Sequence, residues 1–151
     1  MEDAFVAIDD PDHSSDLLRE AAAYAVGADA ELVLYFPLTP EEFEESQESL
    51  DKIGRVEHKD YGDEDAQTVA KQFVDDIARE PLADFDVEYS VVTDVTEEID
   101  AGRIIELAEE RGCDHVYTTG RRRSPTGKAM FGDTTQQLIL NFSGFVTVRT
   151  N

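Results

Sequence analysis

The chain's first apolar segment reads Ala4-Phe5-Val6-Ala7-Ile8-Asp9-Asp10-Pro11. Five consecutive apolar residues without alternation indicate a strand that is buried on both faces, as in parallel sheets covered by helices. The Asp-Asp-Pro corner ends this strand. Ser14 or Ser15 then offers an N-cap for a helix that we expect to end at Gly27. A strand, a turn and a helix in this order predict an α/β fold.

The same alternation of strands and helices continues to the end of the chain. Four further strands are predicted, at 31–36, 87–91, 115–118 and 145–148. A capping box from Thr39 to Glu42 starts one more helix, and apolar periodicity predicts three others, at 66–77, 101–112 and 138–142. Residues 46–61 have no clear period, and we interpret them as an irregular insertion. The chain is therefore predicted to form a single domain, residues 1–151, with a five-stranded parallel, doubly wound, Rossmann-like sheet in a three-layer sandwich.

Composition restricts the class of partner. The chain carries 35 acidic and 13 basic residues, for a formal net charge of -22. This charge argues against nucleic-acid and membrane-surface partners, because both are polyanions. The acids are spread along the whole chain, which indicates a halophilic surface adapted to a high-salt cytoplasm. An acidic N-terminus, a single cysteine (Cys113) and the lack of any apolar run near about 20 residues also favour a cytoplasmic protein.

One segment departs from the acidic background. No Asp or Glu occurs between Asp114 and Asp133, and four of the 13 bases lie in the glycine-bearing stretch from Arg121 to Lys128. A cationic glycine loop between a strand and a helix is suited to binding an anion such as phosphate. The alternative is that these bases pair with acidic groups of the same chain or of a dimer partner. A P-loop is excluded, because Arg122 stands where its first glycine would be and Ala129 follows Lys128.

These residues together resemble the universal stress protein A family, and the chain is similar to a small, single-domain, haloarchaeal-type member. The family's first strand ends in a Val-Ala-Val-Asp-Gly-Ser type of sequence, and residues 6–10 here read Val-Ala-Ile-Asp-Asp. Its signature after the fourth strand is Gly, two residues, Gly, nine residues, Gly, then Ser or Thr. Gly120 and Gly132 match the first and last glycines. Arg123 replaces the second glycine, the spacing to Gly132 is one residue short, and Asp133 replaces the hydroxyl residue.

The resemblance implies an adenine nucleotide alpha hydrolase-like fold and a homodimer joined through the C-terminal strand. It also implies that ATP or AMP binds in the cleft between Asp9 and the glycine- and arginine-rich loop, in a regulatory or protective role. The residues that we expect at this nucleotide site come from the first two strand ends, the loop and the helix that follows it. They are Ala7, Ile8, Asp9, Phe36, Thr119, Gly120, Arg121, Arg123, Gly127, Lys128, Gly132, Asp133, Thr134 and Thr135.

Asp133 is the residue on which this interpretation depends. With Gln136 it forms a capping-box pattern, so it is expected to cap the last helix. A carboxylate in that place occupies helix amides that a phosphate would use, and it repels phosphate. Mg²⁺ could bridge Asp133 to a bound phosphate, and Thr134 or Thr135 could supply the missing hydroxyl.

Two other functional interpretations stay open at this point. One is a family member that binds no nucleotide and acts as a dimeric interaction module. The other is a receiver-like phospho-acceptor domain, in which Asp9, Asp10, Asp94 and Thr119 would form the acidic site. The chain lacks the Lys that a receiver carries after its fifth strand. No residue pattern supplies a catalytic triad, a metal site or a placed general base, so any ATP hydrolysis would be slow.

The charge predicts that the folded state depends on salt. Dialysis from molar to millimolar KCl should remove helical circular dichroism, because the repulsion among the acidic groups is then no longer screened. Spectra that stay unchanged over this range would contradict a halophilic surface.

Overall fold

The computed structural model describes residues 3–8, 14–45, 63–120 and 133–150. The predicted insertion at 46–61 lies outside these ranges. Five strands are present: β1 (Asp3–Ala7), β2 (Leu32–Tyr35), β3 (Tyr89–Val92), β4 (Cys113–Gly120) and β5 (Phe145–Thr150). The helices are α1 (Ser15–Ala28), α2 (40–45), α3 (Asp63–Arg79), α4 (Ala101–Glu110) and α5 (Asp133–Asn141).

The strands form one parallel sheet in the order β3-β2-β1-β4-β5. The predicted five-stranded, Rossmann-like sheet is therefore confirmed. The chain runs outward from β1 to β3 on one side and from β4 to β5 on the other. The order thus reverses between β1 and β4, where crossovers leave the sheet in opposite directions and open a crevice at the carboxyl ends of the strands.

Two apolar layers cover the sheet, one on each face. Ala4, Val6 and Ile8 face a layer built from α1 and α3, whereas Phe5 and Ala7 face a layer built from α4 and α5. All five of these side chains are at most 2% exposed. A strand with both faces covered needs apolar residues at every position, which is why the first segment shows no alternation.

Several element ends differ from the sequence prediction. Helix α1 passes through Gly27 and ends at Asp29, which adopts a left-handed conformation with φ of 56°. Asp and Asn tolerate this conformation better than most residues, so an Asp can replace the expected glycine. Ser14 occupies the N-cap position of α1 without a side-chain capping bond. In α3 the apolar periodicity correctly places Val69, Ala70 and Val74 in the core, whereas Phe73 is 47% exposed and Ala78 is buried in addition.

The capping box predicted at the start of α2 is present. The amide of Thr39 donates to Oε1 of Glu42 at 2.9 Å, and the amide of Glu42 donates to Oγ1 of Thr39 at 3.1 Å. These reciprocal bonds satisfy two amides that have no partner within the helix, which fixes where α2 begins. No helix within the described ranges is long and apolar enough to cross a lipid bilayer.

Substitution by alanine should change stability in opposite directions at two glycines. At Gly144 an added Cβ would overlap the main-chain oxygen of Asp114 and lie 2.7 Å from the ring of Phe142, so Gly144→Ala should lower the free energy of unfolding by about 1–3 kcal/mol. At Gly27, inside α1, an added Cβ meets no atom within 4 Å. Gly27→Ala should raise stability by up to about 1 kcal/mol, because alanine loses less backbone entropy in a helix.

Urea unfolding of both variants in molar KCl measures this difference. Equal unfolding midpoints for the two variants would contradict the close packing at the start of β5.

Candidate functional site

A cavity of about 440 Å³ opens at the carboxyl ends of β1 and β4, on the side covered by α4 and α5. Three short segments line it: the strand ends, the first turn of α5, and the turn that leads from β3 into α4. The lining residues are Ala7, Thr118, Thr119, Asp133, Thr134, Thr135, Glu97, Glu98, Ile99 and Ile104. The cavity therefore lies at the point where the strand order reverses, where doubly wound sheets bind their ligands.

The first turn of α5 is held by hydroxyl groups. Oγ1 of Thr134 donates to the main-chain oxygen of Ile99 at 3.3 Å, and Oγ1 of Thr135 donates to that of Thr119 at 3.4 Å. Thr135 is only 5% exposed. Both hydroxyl protons are thus directed to main-chain carbonyls, which ties α5 to β4 and to the turn before α4. A phosphate would have to displace these bonds to receive either proton.

Asp133 is the first residue of α5 and is exposed. The capping interpretation expected it one position earlier, outside the helix. Within the first turn its carboxylate still lies at the positive end of the helix dipole, which stabilises a negative charge there. A phosphate at the same helix end would compete with that carboxylate for the same favourable field.

The turn before α4 is also fixed by its own hydrogen bonds. Oγ1 of Thr96 donates to the main-chain oxygen of Glu98 at 2.9 Å, and the main-chain amide of Glu98 donates to Oγ1 of Thr96 at 3.4 Å. The Asp100 side chain caps α4 by accepting from the amide of Gly102 at 3.0 Å. Glu97 and Glu98 therefore occupy a defined, exposed rim of the cavity.

The described lining is acidic. Glu97, Glu98 and Asp133 contribute three carboxylates, and no described lining residue is a Lys or Arg. The bases that sequence analysis assigned to this site, Arg121, Arg123 and Lys128, lie outside the described residues. They belong to segment 121–132, which joins Gly120 at the end of β4 to Asp133 at the start of α5.

The structure brings part of the predicted site together. Ala7, Thr119, Asp133, Thr134 and Thr135 line the cavity. Gly120 ends β4, where it pairs with β5. Ile8 and Phe36 belong to the apolar core, with exposures of 1% and 6%. The remaining predicted residues lie outside the described ranges: Asp9, Arg121, Arg123, Gly127, Lys128 and Gly132.

Sequence reasoning missed half of the cavity lining. Glu97, Glu98 and Ile99 follow β3, Thr118 lies in β4 and Ile104 lies in α4. The place of Glu97, Glu98 and Ile99 directly after a strand could have identified them. A turn after a parallel strand lies at the carboxyl edge of the sheet together with the other strand ends.

Asp94 has a structural role that excludes the receiver interpretation. It accepts a hydrogen bond from the Tyr35 hydroxyl at 2.8 Å and a bidentate pair from Arg103, at 2.9 Å from Nε and 3.1 Å from Nη2. Burial, and then the bond to Asp94, raise the pKa of Tyr35. The hydrogen bond to Asp94 raises the pKa of Arg103.

The strand order agrees with this conclusion. Receivers have the order 2-1-3-4-5, which places the strand carrying the phospho-acceptor beside the first strand. Here β3 lies at the edge of the sheet, with β2 between it and β1. The strand before Asp94 is therefore not adjacent to β1, as it would be in a receiver.

Cys113 and His115 lie in β4 and are packed into the structure. Burial raises the pKa of the Cys113 thiol to about 12, so little nucleophilic thiolate forms at neutral pH. The His115 ring contacts Oδ1 of Asp114 at 2.7 Å and stacks on Phe145 with ring centroids 4.7 Å apart. Within the described ranges, no group of three His, Cys, Asp or Glu side chains is arranged to hold a metal ion.

The strand order and the cavity at its reversal define the class of protein: a doubly wound α/β protein with a Rossmann-like ligand crevice. The sequence model of the Universal stress protein family matches residues 1–148. Since this match spans nearly the whole chain, the chain belongs to the universal stress protein family. No curated protein matches the chain significantly.

Solved structures of the family share its fold. A universal stress protein from Archaeoglobus fulgidus superposes with a TM-score of 0.61 and 19% identity, covering 98% of this chain and 93% of that one. The universal stress protein from the same organism in complex with dAMP gives a TM-score of 0.58 and 17% identity, covering 98% and 97%. A universal stress protein in complex with cAMP gives 0.59 and 15%, covering 99% and 96%. At these identities the similarity shows the fold alone.

Proposed function

We propose that this universal stress protein binds an adenine nucleotide, ATP or AMP, in the cavity at the ends of β1 and β4. The observation that carries the proposal is the position of that cavity, at the reversal of strand order and against the first turn of α5. Two structural relatives support the ligand class, since one was solved with dAMP and the other with cAMP. Both are adenine nucleotides with a single phosphate.

The sequence around the cavity supports this ligand. Asp9 follows the cavity-lining residue Ala7 by two positions, close enough along the chain to contact the adenosine part. Segment 121–132 begins and ends beside residues of the cavity, and it supplies four bases and no acid. Four bases without an acid suit a phosphate. If Mg²⁺ accompanies the nucleotide, Asp133 is the lining carboxylate best placed to share it with a phosphate.

The main alternative is an interaction module that binds no nucleotide. The acidic rim favours it, because Glu97, Glu98 and Asp133 all repel phosphate. In either case the role is regulatory or protective, and the charge of -22 suits a protein of a high-salt cytoplasm.

Nucleotide content and binding test the proposal. ATP, ADP or AMP should be released in near-stoichiometric amount when protein purified in molar KCl is denatured and examined by mass spectrometry. Calorimetric titration should show binding that Arg123→Glu and Gly132→Val each weaken by about tenfold or more, because these changes remove a cation and fill the loop with a side chain.

Arg111→Glu is the matched control for charge. Arg111 caps the far end of α4, before β4 begins, so the same change in net charge leaves the cavity untouched. An empty wild-type protein that also fails to bind added Mg-ATP and AMP would favour the interaction module. Binding that neither loop variant weakens would place the nucleotide elsewhere.

We also propose a homodimer joined through β5. Among the described strands, β5 pairs with β4 alone and forms the edge of the sheet. Phe145 at its start is 64% exposed despite its stacking on His115. An unpaired edge strand with an exposed aromatic residue favours pairing with a second chain.

The wild-type protein should therefore sediment with about twice its chain mass of 16.8 kDa. Phe145→Glu should shift it toward the monomer, because the change places a charge in the apolar contact. Leu140→Glu is the control, since Leu140 is 78% exposed on α5 rather than on β5. A monomeric wild-type protein, or equal dissociation in both variants, would contradict the dimer.

A further inference from the structure

We propose that Glu97 and Glu98 are specificity-determining residues that lower the affinity of the cavity for ATP relative to AMP. This inference rests on the proposed nucleotide site. ATP and AMP share one base and one sugar, so a difference between their affinities depends on the number of charged phosphates rather than on overall shape.

Glu97 and Glu98 line the cavity together with Thr119 at the end of β4 and Asp133 at the start of α5. In a pose whose phosphates extend from the nucleoside toward the amino end of α5, the phosphates would therefore approach the turn that carries Glu97 and Glu98. A third phosphate would extend further into this acidic rim than a first.

Hydrogen bonds hold the backbone of the rim in place. Thr96 bonds the main chain of Glu98 at 2.9 Å, Asp100 fixes the start of α4, and Thr134 on α5 bonds Ile99 in the same turn at 3.3 Å. The backbone of the turn is thus tied to both helices that border the cavity. Long side chains can rotate away from an approaching anion, but their charges stay at the rim.

AMP and ATP differ in their negative charge. At neutral pH AMP carries about two negative charges and ATP about four, because each phosphate is largely ionised. Repulsion by two fixed carboxylates at the rim grows with each added phosphate. Both glutamates are exposed, so solvent weakens the effect without removing it. We expect the affinity ratio to change about threefold to tenfold.

Segment 121–132 carries the same four bases in the wild-type protein and in any rim variant. A comparison of the ATP-to-AMP affinity ratio between variants therefore isolates the contribution of the two glutamates.

The test uses the full chain with the double substitution Glu97→Gln and Glu98→Gln. Binding of ATP and of AMP is measured by calorimetry at the lowest KCl concentration that keeps all proteins folded by circular dichroism, because the rim charges are screened least there. EDTA is present, so that no divalent cation bridges carboxylate and phosphate. The control is Glu109→Gln with Glu110→Gln, which removes the same charge from the last turn of α4. That turn is about 12 Å or more along the helix from the rim, beyond the screening length.

The rim variant should raise the ATP-to-AMP affinity ratio by about threefold to tenfold, and the control should leave it within error of wild type. ATP binding that appears only in the rim variant would support the inference in its strongest form. A ratio that stays unchanged while both nucleotides bind would overturn the inference and leave the proposed function standing. Absence of binding by both nucleotides in all three proteins would overturn both.

Discussion

The structure depends on the burial of β1 on both faces. This strand lies in the sheet between β2 and β4, and its side chains alternate between the two apolar layers. Full burial of a Val, Ile or Phe side chain is worth about 1.5–3 kcal/mol, so Phe5, Val6 and Ile8 help hold both helical layers to this strand. A polar residue at any of them would face one layer without a partner. The same central position makes β1 one wall of the crevice, so core and cavity share one strand.

The cavity combines opposite electrostatic requirements. Its position at the end of a parallel sheet and the start of α5 favours an anion, because helix amides and the helix dipole point toward it. The described lining adds only negative charge, from Glu97, Glu98 and Asp133. The four bases of segment 121–132 directly precede α5 in the sequence. On the proposed nucleotide site, this combination favours a ligand of limited negative charge over a highly charged one.

Several residues that look functional in the sequence are used to hold the scaffold. Asp94 resembles a phospho-acceptor by its place after the third strand, yet it is shared by Tyr35 and Arg103 and joins β2 to α4. Thr134 and Thr135 resemble phosphate donors, yet their protons are directed to the carbonyls of Ile99 and Thr119. In both cases the residue type suits two roles, and only its neighbours decide between them.

The sequence alone determined the number and order of the elements, the parallel sheet, and the capping box at Thr39 and Glu42. These follow from local periodicity and from caps. Only the tertiary structure decided that Asp29 ends α1, that Phe36 lies in the core, and that Glu97 and Glu98 form the rim. The cavity brings this turn together with the end of β4 and the first turn of α5, which lie further along the chain and share no sequence pattern with it. Their proximity comes from the strand order, which is set by how the helices pack on the sheet rather than by any local signal.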